Sequence, residues 1–325
     1  MRSVRASHGW ARAALAALVG ALVLSVAACG SGEENAAVGE PITIAHVRGE
    51  TTITGTPKRV VALGNQWLDT ALALGVQPVG YIDNIAVMGK GAPPWQPKLD
   101  ESVKALNTTG NIAEQVAALE PDLILADSFI ADQKNYDEFS KIAPTLPGLS
   151  QEIVTPWQDL VTTLGKVLRK PDAAAAIIQG VDAEVAALIS ANPGLKGKTF
   201  ASTFLFNASQ LMVLTDPKDG SAKLFDQLGL GIPQSLMDLP ATQGRVALSP
   251  ERVDELTADL LLAGAAAGMD EKYRQLPGYS ELPAVRKNAV VFMNMTEISA
   301  VNQPTALSIP FVLDKLAPAL ANAAK

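Results

Sequence analysis

Residues 111–126 read NIAEQVAALEPDLILA, and residues 249–264 read SPERVDELTADLLLAG. Laid over each other at a constant offset, they match at Glu114/Glu251, Val116/Val253, Leu119/Leu256, Asp122/Asp259, Leu123/Leu260, Leu125/Leu262 and Ala126/Ala263. Each stretch carries apolar residues at helical spacing and then an unbroken apolar segment, the pattern of an amphipathic helix feeding a strand buried on both faces. The apolar matches follow from that pattern alone. A glutamate at the same helical place in both copies needs its own reason. One reason is local: a carboxylate in a first helical turn favours the positive end of the helix dipole by ~0.3–1 kcal/mol. The other is a surface function that the chain performs twice.

Outward from the first copy, RVVALG (59–64) reads as a buried strand, WLDTALALG (67–75) as a short helix and VQPVGYI (76–82) as the next strand. A leading hairpin (ITIAHV at 42–47, then TTIT at 51–54) precedes them, and VKAL (103–106), the first copy and a helix over Asp132–Ile142 continue the alternation. Such βα alternation predicts a mostly parallel sheet covered on both faces. Asp83–Leu99, with Pro93, Pro94, Trp95 and Pro97, reads as a long loop of the kind that carries function. From Trp157 to Ala191 the strands stop. DAAAAIIQGVDAEVAALISA (172–191) puts Ile177, Ile178, Val181, Val185, Leu188 and Ile189 on one helical face. Asp172 is its expected cap, and Asn192-Pro193-Gly194 its stop. Strands then return in KTFASTFLF (198–206), QLMVLT (210–215), the second copy and NAVVFMN (288–294). A last helix enters through Pro304 and is expected to kink near Pro310. The fold class is therefore α/β: two lobes, each a mostly parallel sheet flanked by helices, joined by one long connecting helix with a ligand cleft between them. The expected divisions are an N-terminal lobe over 42–155, a connecting helical segment over 156–195 and a C-terminal lobe over 196–325.

The start of the chain reads differently. Arg2, Arg5 and Arg12 precede an apolar run from Ala13 to Val26, then small residues and Cys29, the sole cysteine. That is the layout of an export signal, and Val26-Ala27-Ala28-Cys29 resembles a lipobox, where cleavage after residue 28 leaves Cys29 as the acylated first residue. Residues 29–41 are small, polar and acidic, a flexible tether. With one cysteine, no disulfide can form within the chain. Removing residues 1–28 takes away three arginines and no acidic residue, moving the net charge from −7 to −10. So acidic a chain excludes nucleic acid or an anionic membrane surface recognised through a basic patch.

Catalysis is also a poor fit. The sequence has no HExxH, GxSxG, P-loop, SxxK or strand-bound GxGxxG motif, and His46 is the only histidine beyond the leader. One histidine cannot build a zinc or manganese site of several convergent imidazole and carboxylate ligands. No resident metal or cofactor is expected.

Seven segments in order, PKRVVALG (57–64), LALGVQPVGY (72–81), AEQVAALEPDLIL (113–125), KIAPT (141–145), WQDLVTTLGKVL (157–168), ELPAVRKNAVVFMN (281–294) and LSIPFVLDKL (307–316), resemble the substrate-binding proteins of bacterial ABC importers for ferric siderophores. The family also includes cobalamin and haem binders. The resemblance spans both lobes. It implies a monomeric, lipid-anchored protein on the outer face of the cell membrane that captures a ferric siderophore, whose iron brings its own oxygen ligands, and delivers it to ABC permease subunits. It also places Glu114 and Glu251 where each lobe docks on one of two like permease subunits. The chain departs from the family's pattern at Ala258, where the first copy has Pro121, and in the bare run GAAAG (264–268).

The positions that match the family's binding loops are Gln66 and Trp67, Asp83 and Asn84, Asp127, Ser128 and Phe129, Phe206 and Asn207, and Thr296 and Glu297. Thr108 and Arg245 stand six residues ahead of the two glutamates; cobalamin-binding relatives have tryptophan there, and Arg245 heads the expected set. Trp95, in its proline-rich loop, is a further candidate. Plainer readings stand beside these: Trp67 stapling its helix to the core, Trp95 plugging its loop, Trp157 packing the connecting helix, and His46 structural in a strand. Haem would draw an axial ligand from Tyr81, Tyr273, Tyr279 or His46. A lipoprotein of the same fold that senses a ligand without transporting it is the other alternative.

Overall fold

Both copies of the repeat supply an interior strand of a sheet in a computed structural model that describes residues 40–152 and 154–325. A hairpin of β1 (Ile42–His46) and β2 (Gly49–Ile53) comes first. The first lobe then runs β3 (Val60–Leu63), α1 (Asn65–Ala73), β4 (Gly80–Ile82), α2 (Asn84–Gly89), β5 (Lys104–Ala105), α3 (Ile112–Ala117), β6 (Leu123–Ala126), α4 (Gln133–Phe139) and β7 (Thr145–Leu146). Its strands are all parallel, in the order β5-β4-β3-β6-β7. Helices α5 (Trp157–Val167) and α6 (Pro171–Ala191) follow. The second lobe runs β8 (Lys198–Asn207), β9 (Gln210–Leu214), α7 (Gly220–Gln227), β10 (Leu230–Gly231), α8 (Gln234–Met237), β11 (Arg245–Leu248), β12 (Leu260–Ala265), α9 (Asp270–Arg274), α10 (Pro283–Arg286), β13 (Val290–Met293), α11 (Met295–Asn302) and α12 (Ser308–Ala323). Its sheet has the order β11-β9-β8-β12-β13 with β10 beside β8; β8, β12 and β13 are parallel, and β9 opposes both its neighbours. The α/β class and paired-sheet architecture expected from the sequence are those observed. The leader, Cys29 and the tether up to residue 39 lie outside the described residues.

The matched aspartates explain half of the repeat. Asp122 accepts hydrogen bonds from the backbone N–H groups of Lys58 and Arg59, both at 2.8 Å, and its own N–H donates to the Arg59 carbonyl. Asp259 accepts from the Thr199 N–H at 3.1 Å, and its N–H donates to the Thr199 carbonyl. In each lobe the aspartate thus latches the start of a motif strand to the start of the strand beside it, one residue ahead of the first register pairs Val60↔Leu123 and Phe200↔Leu260. Val116, Val253 and Leu256 of the preceding turns are fully buried against these strands.

The turns themselves differ. The first copy forms the α-helix α3, capped by the Asn111 side chain, whereas Pro250–Glu255 is a 3-10 helix rather than the expected α-helix. The chain has seventeen residues between β5 and β6 but only eleven between β11 and β12. A 3-10 helix rises ~2.0 Å per residue against ~1.5 Å and covers the return with fewer. Arg252, at φ −100° and ψ 23°, breaks the helix in its middle and pairs with Glu255.

The connecting segment is two helices. Arg169 at φ 58° turns the chain after α5, and Pro171 opens α6 at its first position, with Asp172 in the first turn and making no side-chain cap. Gly165 lets α5 meet α6 closely, since a Cβ there would stand 2.4 Å from that of Ala174. The expected apolar face of α6 is the packed one: Val181 and Val185 are buried, and the four others are partly buried against the core. Pro310 lies in the first turn of α12, where its missing N–H has no intrahelical partner to lose, and Pro318 is the proline inside the helix.

If the aspartate latch is structural, Asp122→Ala lowers the unfolding free energy by about 1–2 kcal/mol, the loss of two charge-assisted bonds discounted for solvent exposure. Urea titration checks this: the midpoint falls with the slope unchanged, whereas a midpoint equal to wild type contradicts the role.

Candidate ligand-binding cleft

Because β3, β4 and β6 are parallel, their C-terminal ends lie together, at Gly64–Gln66, Asp83–Asn84 and Asp127–Phe129. In the second lobe β8, β12 and β13 end at Phe206–Asn207, Ala265 and Met293. Ligands of open α/β sheets bind outside such ends. Here a cavity of about 450 Å³ opens between the lobes, lined from the first by Met88, Gly89 and Lys90 and from the second by Ala265–Ala267, Asp270 and Phe292–Thr296. The lobes touch at its rim: a Cβ on Gly89 would stand 2.2 Å from the Thr296 hydroxyl. The bare alanine run noted in the sequence forms one wall and keeps it open.

Four large apolar side chains stand exposed among the described residues: Val87, Met88, Phe129 and Phe206. All four follow or end parallel strands on the cleft side, and Phe206 meets Phe204 edge-on at 4.5 Å. Exposed large apolar groups gathered at the strand ends beside a cavity mark a binding surface. Of the residues expected from the sequence, Thr296 lies in the cavity wall, and Phe129 and Phe206 stand exposed beyond their strand ends outside it. Met88, Lys90, Phe292 and Met295 line the wall without a signal in the sequence. Most of these come from α2, a helix hidden in what reads as a proline-rich loop, and from the end of β13.

Several expected contacts are turned inward. Gln66 and Trp67 are buried: the Gln66 side chain donates to the carbonyls of Thr155 at 2.8 Å and Pro304 at 3.4 Å, and Trp67 belongs to the core. They sit in the first turn of α1, which dives beneath the strand ends as soon as Gly64 has turned the chain at φ 117°. Asp127 caps that turn from the neighbouring strand, accepting the Gln66 and Trp67 N–H groups at 3.2 and 3.3 Å. Asp83 caps α2 through the Ala86 N–H at 2.7 Å, is bonded by Asn65, and leaves its Oδ2 buried without a partner. Trp95 donates to Asp69 at 2.8 Å and packs on Phe311, so it plugs its loop.

Arg245 is the main correction. Its guanidinium pairs with Asp219 at 2.5 Å; burial pushes that carboxyl up, but the Arg245 and Ser221 hydrogen bonds and the arginine's charge outweigh it and hold the group below its ordinary value. Arg245 opens β11 opposite Leu214, two to three residues short of the cleft end, because β11 ends three residues before Glu251 whereas β5 ends nine before Glu114. Counting six residues back therefore reaches an exposed rim loop at Thr108 and a mid-sheet position at Arg245.

The remaining candidates are spread around the rim. Asn84 begins α2, and Ser128 lies against Gly148. Asn207 closes the β8–β9 turn by accepting from Ser209, and Glu297 completes a capping box with Asn294 and pairs with Lys315 at 2.7 Å. Glu114 and Glu251 are exposed in the first turns beyond the cleft ends of β5 and β11. Tyr81, Tyr273, Tyr279 and His46 are all absent from the cavity wall; Tyr273 is buried on Thr203, and His46 bonds Thr51. Among the described residues no group of three His, Cys, Asp or Glu could hold a metal ion.

A two-lobed α/β chain with a preformed, apolar-rimmed cleft at its strand ends is a binding protein by construction. Residues 60–295 match the model of the periplasmic binding protein family, and the chain belongs to that family. It is 28% identical over 253 residues to the probable siderophore-binding lipoprotein YfiY of Bacillus subtilis, covering 74% of each chain. To the Fe(3+)-citrate-binding protein YfmC of the same organism it is 34% identical over 172 residues, 49% of this chain and 52% of that one. The iron uptake ABC transporter substrate-binding protein PiaA of Streptococcus pneumoniae superposes with a TM-score of 0.68 at 26% identity, over 87% of this chain and 99% of PiaA. A structure of PiaA with ferrichrome gives a TM-score of 0.70 at 25% identity, over 87% and 98%. These relatives are substrate-binding proteins, and the chain is not an enzyme.

The cap at Asp127 has a pH signature. Burial raises its carboxyl from 3.8 to about 7, against the opposing backbone N–H bonds. A raised acid binds its proton more tightly in the folded chain, so its stabilisation is full below 3.8 and is lost as pH rises through about 7. Asp127→Asn, which cannot ionise, should gain in melting temperature relative to wild type between about pH 5 and pH 8. A difference that stays constant across that range contradicts titration of this group.

Proposed function

We propose that the cleft captures a ferric siderophore and that the chain hands it to the permease of an ABC importer. The observation that carries this reading is that the exposed side chains of Met88, Phe129 and Phe206 all stand beyond the cleft-side strand ends, with Met88 in the wall of the cavity between the two lobes. The relatives' names, siderophore-binding, Fe(3+)-citrate-binding and iron uptake, and the PiaA–ferrichrome complex support it. A siderophore satisfies its iron with its own oxygens, so the protein has only to cover the complex, and apolar faces on a rigid rim suit that task. In this reading the chain is exported and held on the outer face of the cell membrane by acyl chains on Cys29, with residues 29–41 as tether and the processed protein a monomer. Glu114 and Glu251, exposed beyond equivalent strands, are the contacts with two like permease subunits.

Two variants test the two halves of the reading. Phe129→Ala with Phe206→Ala should weaken binding of the ferric complex by at least about tenfold in calorimetric titration, the loss of two stacking faces. Unchanged affinity places recognition elsewhere. Glu114→Arg with Glu251→Arg should leave that affinity within about twofold yet stop cellular iron uptake, because the charge of both docking contacts is reversed. Uptake at the wild-type rate removes the docking role.

A further inference from the structure

The cavity is short of positive charge. Lys90 is the one basic residue in its wall, and Asp270 shares that wall. The basic groups tied to its wall are engaged: Lys315 with Glu297, next to Thr296, at 2.7 Å, and Arg274 stacked 3.6 Å from the centre of the Phe292 ring and 4.0 Å from Asp270. The helix dipole offers no substitute. The start of α11 borders the cavity, but its capping box takes up the Asn294 and Glu297 N–H groups and sets the Glu297 carboxylate beside the positive end of the helix, which offsets it. The facing wall is the alanine run, with no donor side chain, and the whole chain is acidic at −7.

Resting on the siderophore reading, we infer that the cleft selects an electrically neutral ferric complex, of the tris-hydroxamate class, over anionic tris-catecholate or carboxylate complexes. Each hydroxamate gives up one proton on binding ferric iron, so three of them neutralise the metal. Each catecholate gives up two, so three leave a trianion. Bringing that trianion into a wall with no free pair of cations strips its hydration without replacing it, and the chain's acidic field opposes its approach. A neutral complex loses little hydration and covers the methionine and phenylalanine surface around the rim.

Calorimetric titration of the purified protein with ferrichrome, a neutral tris-hydroxamate, and with ferric enterobactin, an anionic tris-catecholate, tests this. The neutral complex should bind at least about tenfold more tightly, with an affinity that changes less than about twofold between roughly 50 and 500 mM salt. Ala267→Lys, which adds a cation at an exposed place on the bare wall, should narrow the ratio between the two complexes. Tighter or equal binding of the catecholate, or a ratio untouched by Ala267→Lys, overturns the selectivity while leaving the siderophore reading in place. Binding of neither complex overturns both.

Discussion

Asp69 is buried to 1% exposure on α1, and two further segments depend on its carboxylate. Trp95 and Gln96 donate to it at 2.8 Å from the loop after α2, and Thr305 donates at 2.7 Å from the segment that starts α12. The Thr305 hydroxyl also accepts the Ser308 N–H at 3.0 Å and so helps to start that helix. Burial raises the Asp69 carboxyl to about 6, with the three donors opposing and the nearby Asp83 adding to the rise. Thr305 and, through Gln66, Pro304 belong to the connection between α11 and α12 of the second lobe, whereas Asp69 and Gln66 belong to the first. The lobes are therefore bolted by buried hydrogen bonds whose loss would strand a carboxylate out of water. A bolted cleft is preformed, and a ligand that enters it orders little of the protein.

The duplicated stretch does two jobs that one sequence pattern conceals. Its aspartates hold strand starts together inside each lobe, and its glutamates stand outward on the turn before them. The first job is visible as geometry in both lobes, through backbone bonds at Arg59 and Thr199. It tolerates different turns, α-helical in one copy and 3-10 in the other, because the latch lies after the turn and not within it.

Much of this fold was legible in the order of the residues. Apolar runs such as VVAL and LILA allow little besides strands buried on both faces, and the α6 face follows from its period. The cavity wall was legible at Thr296, immediately beyond a strand, and the exposed apolar faces at Phe129 and Phe206 likewise lie just beyond strand ends. It was not legible at Gln66, Trp67 and Asp83, which also follow strands, because no local pattern says whether a helix begins along the rim or dives beneath it. Glycine at 64, with its positive φ, was the one available sign. Arg245 was misplaced because the distance from strand end to glutamate differs between the copies, and a sequence offset cannot register that. Met88 and Lys90 were missed because α2 has a single buried apolar residue and so no periodicity to find.

The central claim is that a ferric complex occupies the space between α2 and the strand ends of the second lobe. A crystal grown with ferrichrome, with iron located by its anomalous scattering, tests it most directly. The account predicts one iron peak in the cavity bounded by Met88, the alanine run Ala265–Ala267 and Phe292, with the Asp69–Thr305 bond intact. Iron bound outside that cavity, or inside it only after the lobes have parted at Asp69, would contradict the account.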